Sequence, residues 1–298
     1  MSNQKNRLRA WFEAARPKTL PASVSPVLLG CALAYYDGYS TASITVLCFL
    51  VAVFAQIASN FANDYFDYKK GADNEDRLGP ERAVAQGWIT PKAMLAGTFI
   101  TLGLACLSGL VLVCLTDWRL IFIGIAIALC VLAYSAGPFP LAYNGLGDIC
   151  VLLFYGVIPV CFTYYVQTMS FSLLTFLLSI AVGLLSVNIL VVNNYRDYAQ
   201  DKAAGKRTTI VLFGKRFGRF FYVVNNILAF ILICPLLIDA PWWILFAFGI
   251  VFGLMFMTSK EVFTREGKDL NITLAHTARN VFLFALILSV LFISVVVF

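Results

Sequence analysis

Eight stretches of this chain contain no Asp, Glu, Lys or Arg: 19–36, 38–63, 93–116, 120–147, 149–195, 220–238, 240–259 and 280–298. A helix needs about 20 mainly apolar residues to cross the hydrocarbon core of a bilayer. Of the 298 residues 60% are apolar and only 13% charged, and the apolar ones are gathered into runs of spanning length. That combination places the chain among integral membrane proteins. The run 149–195 is long enough for two crossings, broken near Gln167 to Ser172, so the sequence predicts an all-α membrane bundle of nine transmembrane helices. The first predicted helix is short and contains Pro21 and Pro26.

The basic residues assign an orientation. Lys and Arg collect on the cytoplasmic side of membrane proteins. They cluster in the N-terminal arm, after predicted helix 2, after helix 6 and after helix 8, and only Arg119 of the 22 falls elsewhere. With the N-terminus inside and nine crossings, all four clusters face the cytoplasm. The reading is of one membrane domain, 1–298, with cytoplasmic cap loops over about 64–92 and 195–218. The net charge of +6 is thus a signal of topology and of contact with anionic lipid. Nucleic acid is not expected as a partner, because no soluble basic domain is present.

The eight cysteines all lie within apolar runs and form no C-x-x-C pair, so they read as small buried residues, neither a disulfide framework nor a zinc site. A lone histidine, His276, cannot build a His-rich metal centre.

The chemistry lies in two acidic clusters about 130 residues apart. The first runs Asn60-Phe61-Ala62-Asn63-Asp64-Tyr65-Phe66-Asp67, with Asp73 beyond it. The second runs Asn193-Asn194-Tyr195-Arg196-Asp197, then Asp201. Carboxylates near hydrocarbon are costly and seldom occur without a task. Asp64 and Asp67 at i, i+3, and Asp197 and Asp201 at i, i+4, each share a helix face. Such faces suit a hard cation, since Mg²⁺ is held by one or two carboxylates plus substrate phosphates and waters. The neighbouring amides add oxygen donors without charge. Lys69, Lys70, Arg77, Arg82, Lys206 and Arg207 are placed to meet a diphosphate. Unit charges 4 Å apart interact by roughly 4 kcal/mol at an effective dielectric of 20. Four carboxylates on a half-dry surface therefore favour bound cations. A third segment, 135–148, faces the same side with glycines, two prolines and Tyr143 but no Lys or Arg, and reads either as a wall of the substrate site or as a plain connection.

These motifs resemble those of the intramembrane aromatic prenyltransferases of the UbiA superfamily, across nearly the whole chain. The resemblance rests on Asn63-Asp64-Tyr65-Phe66-Asp67 and on Asp197-Tyr198-Ala199-Gln200-Asp201. It is supported by Arg16-Pro17-Lys18-Thr19-Leu20-Pro21, Gly79-Pro80-Glu81-Arg82, Gly145-Leu146-Gly147-Asp148 and Gly205-Lys206-Arg207-Thr208-Thr209. The sequence departs from the first motif at Gly71, where the family carries a further Asp; Asp73 follows two residues later. The resemblance implies that Asp64, Asp67, Asp197 and Asp201, with Asp73, hold Mg²⁺ on a polyprenyl diphosphate. Asn60, Asn63, Asn193 and Asn194 assist, while Lys206, Arg82, Lys69 and Lys70 meet the diphosphate. Arg16, Lys18 and Tyr143 are expected to contact substrate. The branch resembled uses 1,4-dihydroxy-2-naphthoate as acceptor, releasing CO₂. Other aromatic acceptors, such as 4-hydroxybenzoate or homogentisate, stay open at this point, as does a metal or ion transporter, since intramembrane acids also mark ion paths.

Overall fold

The computed structural model describes residues 6–71 and 78–297, with every side chain there except that of Lys18. Asp73 and Arg77 lie outside the described residues. The described chain is helical: α1 (Arg7–Ala15), α2 (Leu20–Tyr36), α3 (Ala42–Lys69), α4 (Pro91–Leu115), α5 (Leu120–Ala133) and α6 (Gly147–Leu152). A π turn, Leu153–Val157, joins α6 to α7 (Ile158–Thr168). Then come α8 (Leu173–Arg196), α9 (Tyr198–Ala203), α10 (Thr209–Leu237), α11 (Trp242–Thr264) and α12 (Leu270–Val297).

Local signals account for the boundaries. Thr90 caps α4 by accepting the Ala93 N–H, with Pro91 in the first turn where its missing N–H costs nothing. Thr208 caps α10 in the same way through Val211. The expected break in the 149–195 run falls between Thr168 and Leu173. Helix α5 stops at Ala133, well short of the end of its uncharged run, and turns and bends follow over the Gly- and Pro-containing stretch 134–139. These residues do not favour helix continuation.

Among the described residues seven helical segments are long and apolar enough to cross a bilayer: α3, α4, α6 through α7, α8, α10, α11, and α12 with the turn before it. Helices α1 and α2 meet the same criterion only as a pair, bent by 53°. Helix α5, at 14 residues, is shorter. The chain is an all-helical integral membrane protein.

The bundle is dense on one side and open on the other. Side chains from α2, α7, α8, α10, α11 and α12 form one buried cluster around Leu178, Val182, Phe248 and Phe284. Lipid is as apolar as leucine, so close packing and hydrogen bonds must hold these helices together. Asn188 on α8 donates to the Tyr222 carbonyl at 3.0 Å and to Asn226 at 2.9 Å. Asn226 reaches Ser259 on α11, and Asn280 on α12 reaches Thr258. On the open side, α3, α4, α5 and α7 surround a cavity.

Glycines set two of the closest approaches. A Cβ on Gly156, in the π turn, would fall 2.4 Å from the Gly183 Cα on α8. A Cβ on Gly30 of α2 would fall 2.7 Å from the Val160 carbonyl. Gly156→Ala should therefore push the π turn off α8 and destabilise the bundle by about 1–3 kcal/mol, the usual cost of overpacking. Gly103→Ala, where nothing lies within 4 Å, should leave stability unchanged. Thermal unfolding in detergent compares the two, and equal midpoints would remove the argument for a glycine-dependent contact.

Candidate active site

The helix ends predicted to carry acids meet at the rim of one large cavity, about 650 Å³ in volume. Its mouth is polar, lined by Asp64, Asp67, Arg82, Tyr143, Asn194, Asp197, Asp201 and Lys206. Its inner arm is apolar, walled by residues such as Val51 of α3, Leu112 of α4, Ile127 of α5 and Phe162 of α7. Of the candidate residues whose side chains are described, Lys69, Lys70 and Arg207 do not border it.

Each carboxylate has a protein partner already. Asp64 is buried and faces the segment after the undescribed stretch: its oxygens accept the N–H groups of Ala83 at 3.0 Å and Val84 at 3.2 Å. It therefore ties the cap to α3, with lone pairs left over for a cation. Asp67 accepts the Tyr143 hydroxyl at 2.9 Å and lies 3.9 Å from the buried Arg82 guanidinium. Asp197 is gripped by Arg196 through two bonds of 2.7 Å, a planar bidentate pair. Asp201 lies 3.4 Å from the Lys206 ammonium.

Tyr143 joins the two clusters. Its hydroxyl donates to Asp67, its carbonyl accepts the Arg207 N–H at 2.9 Å, and its ring lies under two ammonium groups. Lys70 stands 4.2 Å and Lys206 4.7 Å from the ring centre. An aromatic face attracts both cations and screens them from each other. Lys70 also donates to the Ser135 carbonyl at 2.7 Å, and the Ser135 hydroxyl bonds to the Asn63 amide oxygen. Segment 135–148, ambiguous in the sequence, is thus a wall of the site.

The remaining candidates divide by role. Asn60 is turned away from the mouth: its amide donates to the Ala15 carbonyl at 2.9 Å and accepts from Gln56, bracing α1 on α3. Arg16, in the left-handed conformation that ends α1, also reaches the Asn60 carbonyl. Asn193 holds the Arg196 guanidinium at 2.8 Å. Asn194 is buried and borders the cavity. Lys69 is exposed at the end of α3. His276 pairs with Glu261 at 2.9 Å, away from the cavity.

The sequence reading missed Arg196 as a working part of the site. Its place after an apolar run groups it with the cytoplasmic basic residues, yet only 4% of it is exposed. Its fourth bond goes to Asn271 on α12, which in turn donates to the Leu78 carbonyl, so the second motif is tied to the cap beyond the first. The adjacency of Arg196 and Asp197 was the available signal. Also missed were Tyr134, Asp148 and Tyr155, all bordering the cavity.

The electrostatics follow from this crowding. Burial pushes the Asp201 carboxyl up to about 6; Lys206 opposes the rise, and Asp197 and Asp67 add to it. Burial also lowers the Lys70 ammonium from its ordinary value, against the pull of Asp67 and with the push of Lys206. Among the described residues no three His, Cys, Asp or Glu side chains converge as a cage for a metal. The donors are dispersed oxygens around a shared space. That fits Mg²⁺ completed by phosphate oxygens and water, since this ion seldom relies on an all-protein cage.

A helical membrane bundle with an acid-and-base mouth over an apolar arm defines a protein that handles an amphiphile with a charged, phosphate-like head. Comparison narrows the class. Residues 23–286 match the UbiA prenyltransferase family, and this chain belongs to it. It is 40% identical to the 1,4-dihydroxy-2-naphthoate octaprenyltransferase of Haemophilus influenzae over 75% of each chain. To the protein of the same name from Escherichia coli it is 35% identical, over 89% of this chain and 86% of the relative. Among solved structures, a UbiA homolog from Archaeoglobus fulgidus bound to DMAPP and Mg²⁺ superposes with a TM-score of 0.66 at 17% identity, covering 96% of this chain and 99% of that one.

The joint at Tyr143 gives a graded test. Tyr143→Phe keeps the ring beneath the lysines and removes the bond to Asp67, and should lower kcat/KM about tenfold, the worth of one such bond. Tyr143→Leu removes both functions and should lower it by about a further tenfold. Initial rates in lipid check the order, and equal losses would mean that the ring contributes nothing.

Proposed function

We propose that this protein transfers a polyprenyl chain from its diphosphate to 1,4-dihydroxy-2-naphthoate, with loss of diphosphate and CO₂, giving the hydroquinone form of demethylmenaquinone. The observation that carries the reading is the meeting of both acidic clusters, through Tyr143, at the mouth of a cavity with an apolar arm. The names of the relatives point to the same acceptor. The finer topology proposed is nine crossings in one membrane domain, α1–α2 counting once and α5 counting as a span. The membrane is a bacterial inner membrane, with the cavity mouth facing the cytoplasm.

In this reading Asp64, Asp67, Asp197 and Asp201, helped by Asn63 and Asn194, hold Mg²⁺; Asp73 remains a proposed ligand. The bound ion supplies neutralising charge for the departing diphosphate. The rest falls to the protein. Lys206 and Arg82 place positive charge where the leaving group gains negative charge. The apolar arm receives the prenyl chain and keeps water from the allylic carbon as it becomes cationic. Tyr143 keeps the lysines and Asp67 in register. The electron-rich ring then attacks, a C–C bond replaces the C–O bond, and the electrons of the broken bond leave with the diphosphate. The ring's carboxylate departs as CO₂, its bonding pair returning to the ring.

An acceptor panel tests this. Protein in lipid, given a long prenyl diphosphate and Mg²⁺, should prenylate 1,4-dihydroxy-2-naphthoate with CO₂ release and be silenced by EDTA. Turnover of 4-hydroxybenzoate alone would move the assignment to another acceptor, and turnover of neither by folded protein would overturn it. Asp67→Asn should lower kcat at least a hundredfold with folding intact.

Asp201 supplies a pH signature. With its carboxyl at about 6, above the ordinary value of 3.8, it is neutral below that pH and anionic above it. A proton therefore competes with the cation as pH falls. The Mg²⁺ concentration for half-maximal rate should rise about tenfold between pH 7 and pH 5, as the ionised fraction falls. Asp201→Asn should raise that requirement at every pH and flatten its pH dependence; a slope kept in the variant would assign the titration elsewhere.

A further inference from the structure

One buried carboxylate in the cavity is left without a task by the reading above. Asp148, in the first turn of α6, is 9% exposed and borders the cavity. Its Oδ2 accepts the hydroxyl of Thr209, at the start of α10. Its Oδ1 is buried and has no hydrogen-bond partner. A buried, unsatisfied carboxylate oxygen is costly and calls for a ligand. Thr209 accounts for the orientation of the group but leaves the second oxygen unexplained.

The surroundings say what kind of ligand. Asp148 lies five residues after Tyr143, and Thr209 three residues after Lys206, so both legs of the contact lead back to the charged mouth. The Tyr134 hydroxyl is close by: a Cβ on Gly147 would stand 3.7 Å from it. Nearby on α5, α6 and the π turn the lining is Val131, Cys150, Val151 and Phe154. The site therefore has one fixed acceptor, one hydroxyl and apolar walls, just inside the mouth. An unpaired carboxylate oxygen repels a diphosphate, which is itself anionic. It matches an O–H donor on a flat apolar body, that is, a phenolic ring.

We propose that Asp148 Oδ1 accepts a hydrogen bond from a ring hydroxyl of the aromatic acceptor and so sets which ring carbon faces the prenyl chain. This rests on the transferase reading. Asp148 is then an acceptor-binding residue, and the Thr209 hydroxyl positions it. A polar site built to receive a hydroxyl rejects an analogue that lacks it far more strongly than an apolar pocket would.

The test uses the full-length protein in lipid, with 1,4-dihydroxy-2-naphthoate and its two mono-methyl ethers. Turnover of no acceptor by wild type overturns the transferase reading and this inference with it. Given turnover, Asp148→Asn should raise the acceptor KM about tenfold or more while the KM for the prenyl diphosphate stays within about twofold. One of the two ethers should inhibit wild type at least tenfold more weakly than the other, and the variant should lose that difference. Equal rises in both KM values, or an ether preference kept in Asp148→Asn, would overturn the inference and leave Asp148 as a pin for α10. If the variant does not fold, labelling of wild type by a hydrophobic carbodiimide, read at Asp148 by mass spectrometry, decides. The naphthoate should protect Asp148 and the discriminated ether should not; equal protection by both would overturn the inference.

Discussion

Carboxylates gathered at the rim of an apolar cavity repel one another, and the architecture around this cavity is arranged to contain that repulsion. Asp197 and Asp201 are each matched by a cation, Arg196 and Lys206, while Asp67 has a hydroxyl at 2.9 Å and a guanidinium at 3.9 Å. Asp64 is met by two backbone N–H groups. Burying a charge without such partners costs several kcal/mol. The partners come from α8, the segment after α9, the wall 135–148 and the cap beyond residue 78. Removing any one of them loosens a carboxylate and a structural tie together. The site is in this sense also the fastening of the cytoplasmic end of the bundle.

That fastening leans on the denser half. Helices α8, α10, α11 and α12 share a buried network of Asn, Ser, Thr and Tyr side chains, and α2 and α7 close against α8. Intramembrane hydrogen bonds average about 0.6 kcal/mol each, so it takes several to hold one face rigid. Rigidity there lets α3, α4 and α5 stand off and leave a cavity. The π turn at Leu153–Val157 connects the halves: Gly156 sits against α8, while its neighbours Phe154 and Tyr155 border the cavity. A π turn inserts one extra residue and so shifts the face that its neighbours present.

Most of the fold and the heart of the site were legible in the sequence, for a physical reason. Both rest on local features: long uncharged runs report membrane crossing, and acids spaced by one helical turn report a shared face. The helix break at Met169–Ser172 was readable on the same terms. What was not legible depends on pairing across the chain. Arg196 looked like one more cytoplasmic charge because nothing local shows that its side chain turns inward to Asp197 and Asn271. The bond of Asn60 to Ala15, 45 residues away, is equally invisible locally, and it gives this cavity-lining amide a structural tie as well. The wall 135–148 carries no charge of its own, so its part emerged only when Tyr143 met Asp67 and the lysines. The number of crossings is not fixed by local pattern, because α5 and the bent α1–α2 pair sit at the limits of what length and hydropathy decide.

The position of the acids separates a transferase from a transporter. Carriers place their ion sites near the bilayer midplane, at interrupted helices whose ends face the ion. Here Asp64 and Asp67 stand in the last turns of α3, which runs unbroken to the rim, Asp197 caps the end of the equally unbroken α8, and Asp201 lies on α9. At the π turn between α6 and α7 the cavity is bordered by Phe154 and Tyr155, not by an acid; the one acid of that segment, Asp148, lies in its first turn. An ion passing inward from the mouth would leave the acids of both motifs for walls rich in valine, leucine and isoleucine, where an unpaired charge is costly. An amphiphile meets the opposite situation. Its charged head stays at the rim among the lysines and arginines, and its chain enters an arm of its own polarity. The same gradient that blocks an ion therefore holds a prenyl diphosphate with its reactive C–O bond at the boundary, where the rim's cations and the ring's binding space come closest together.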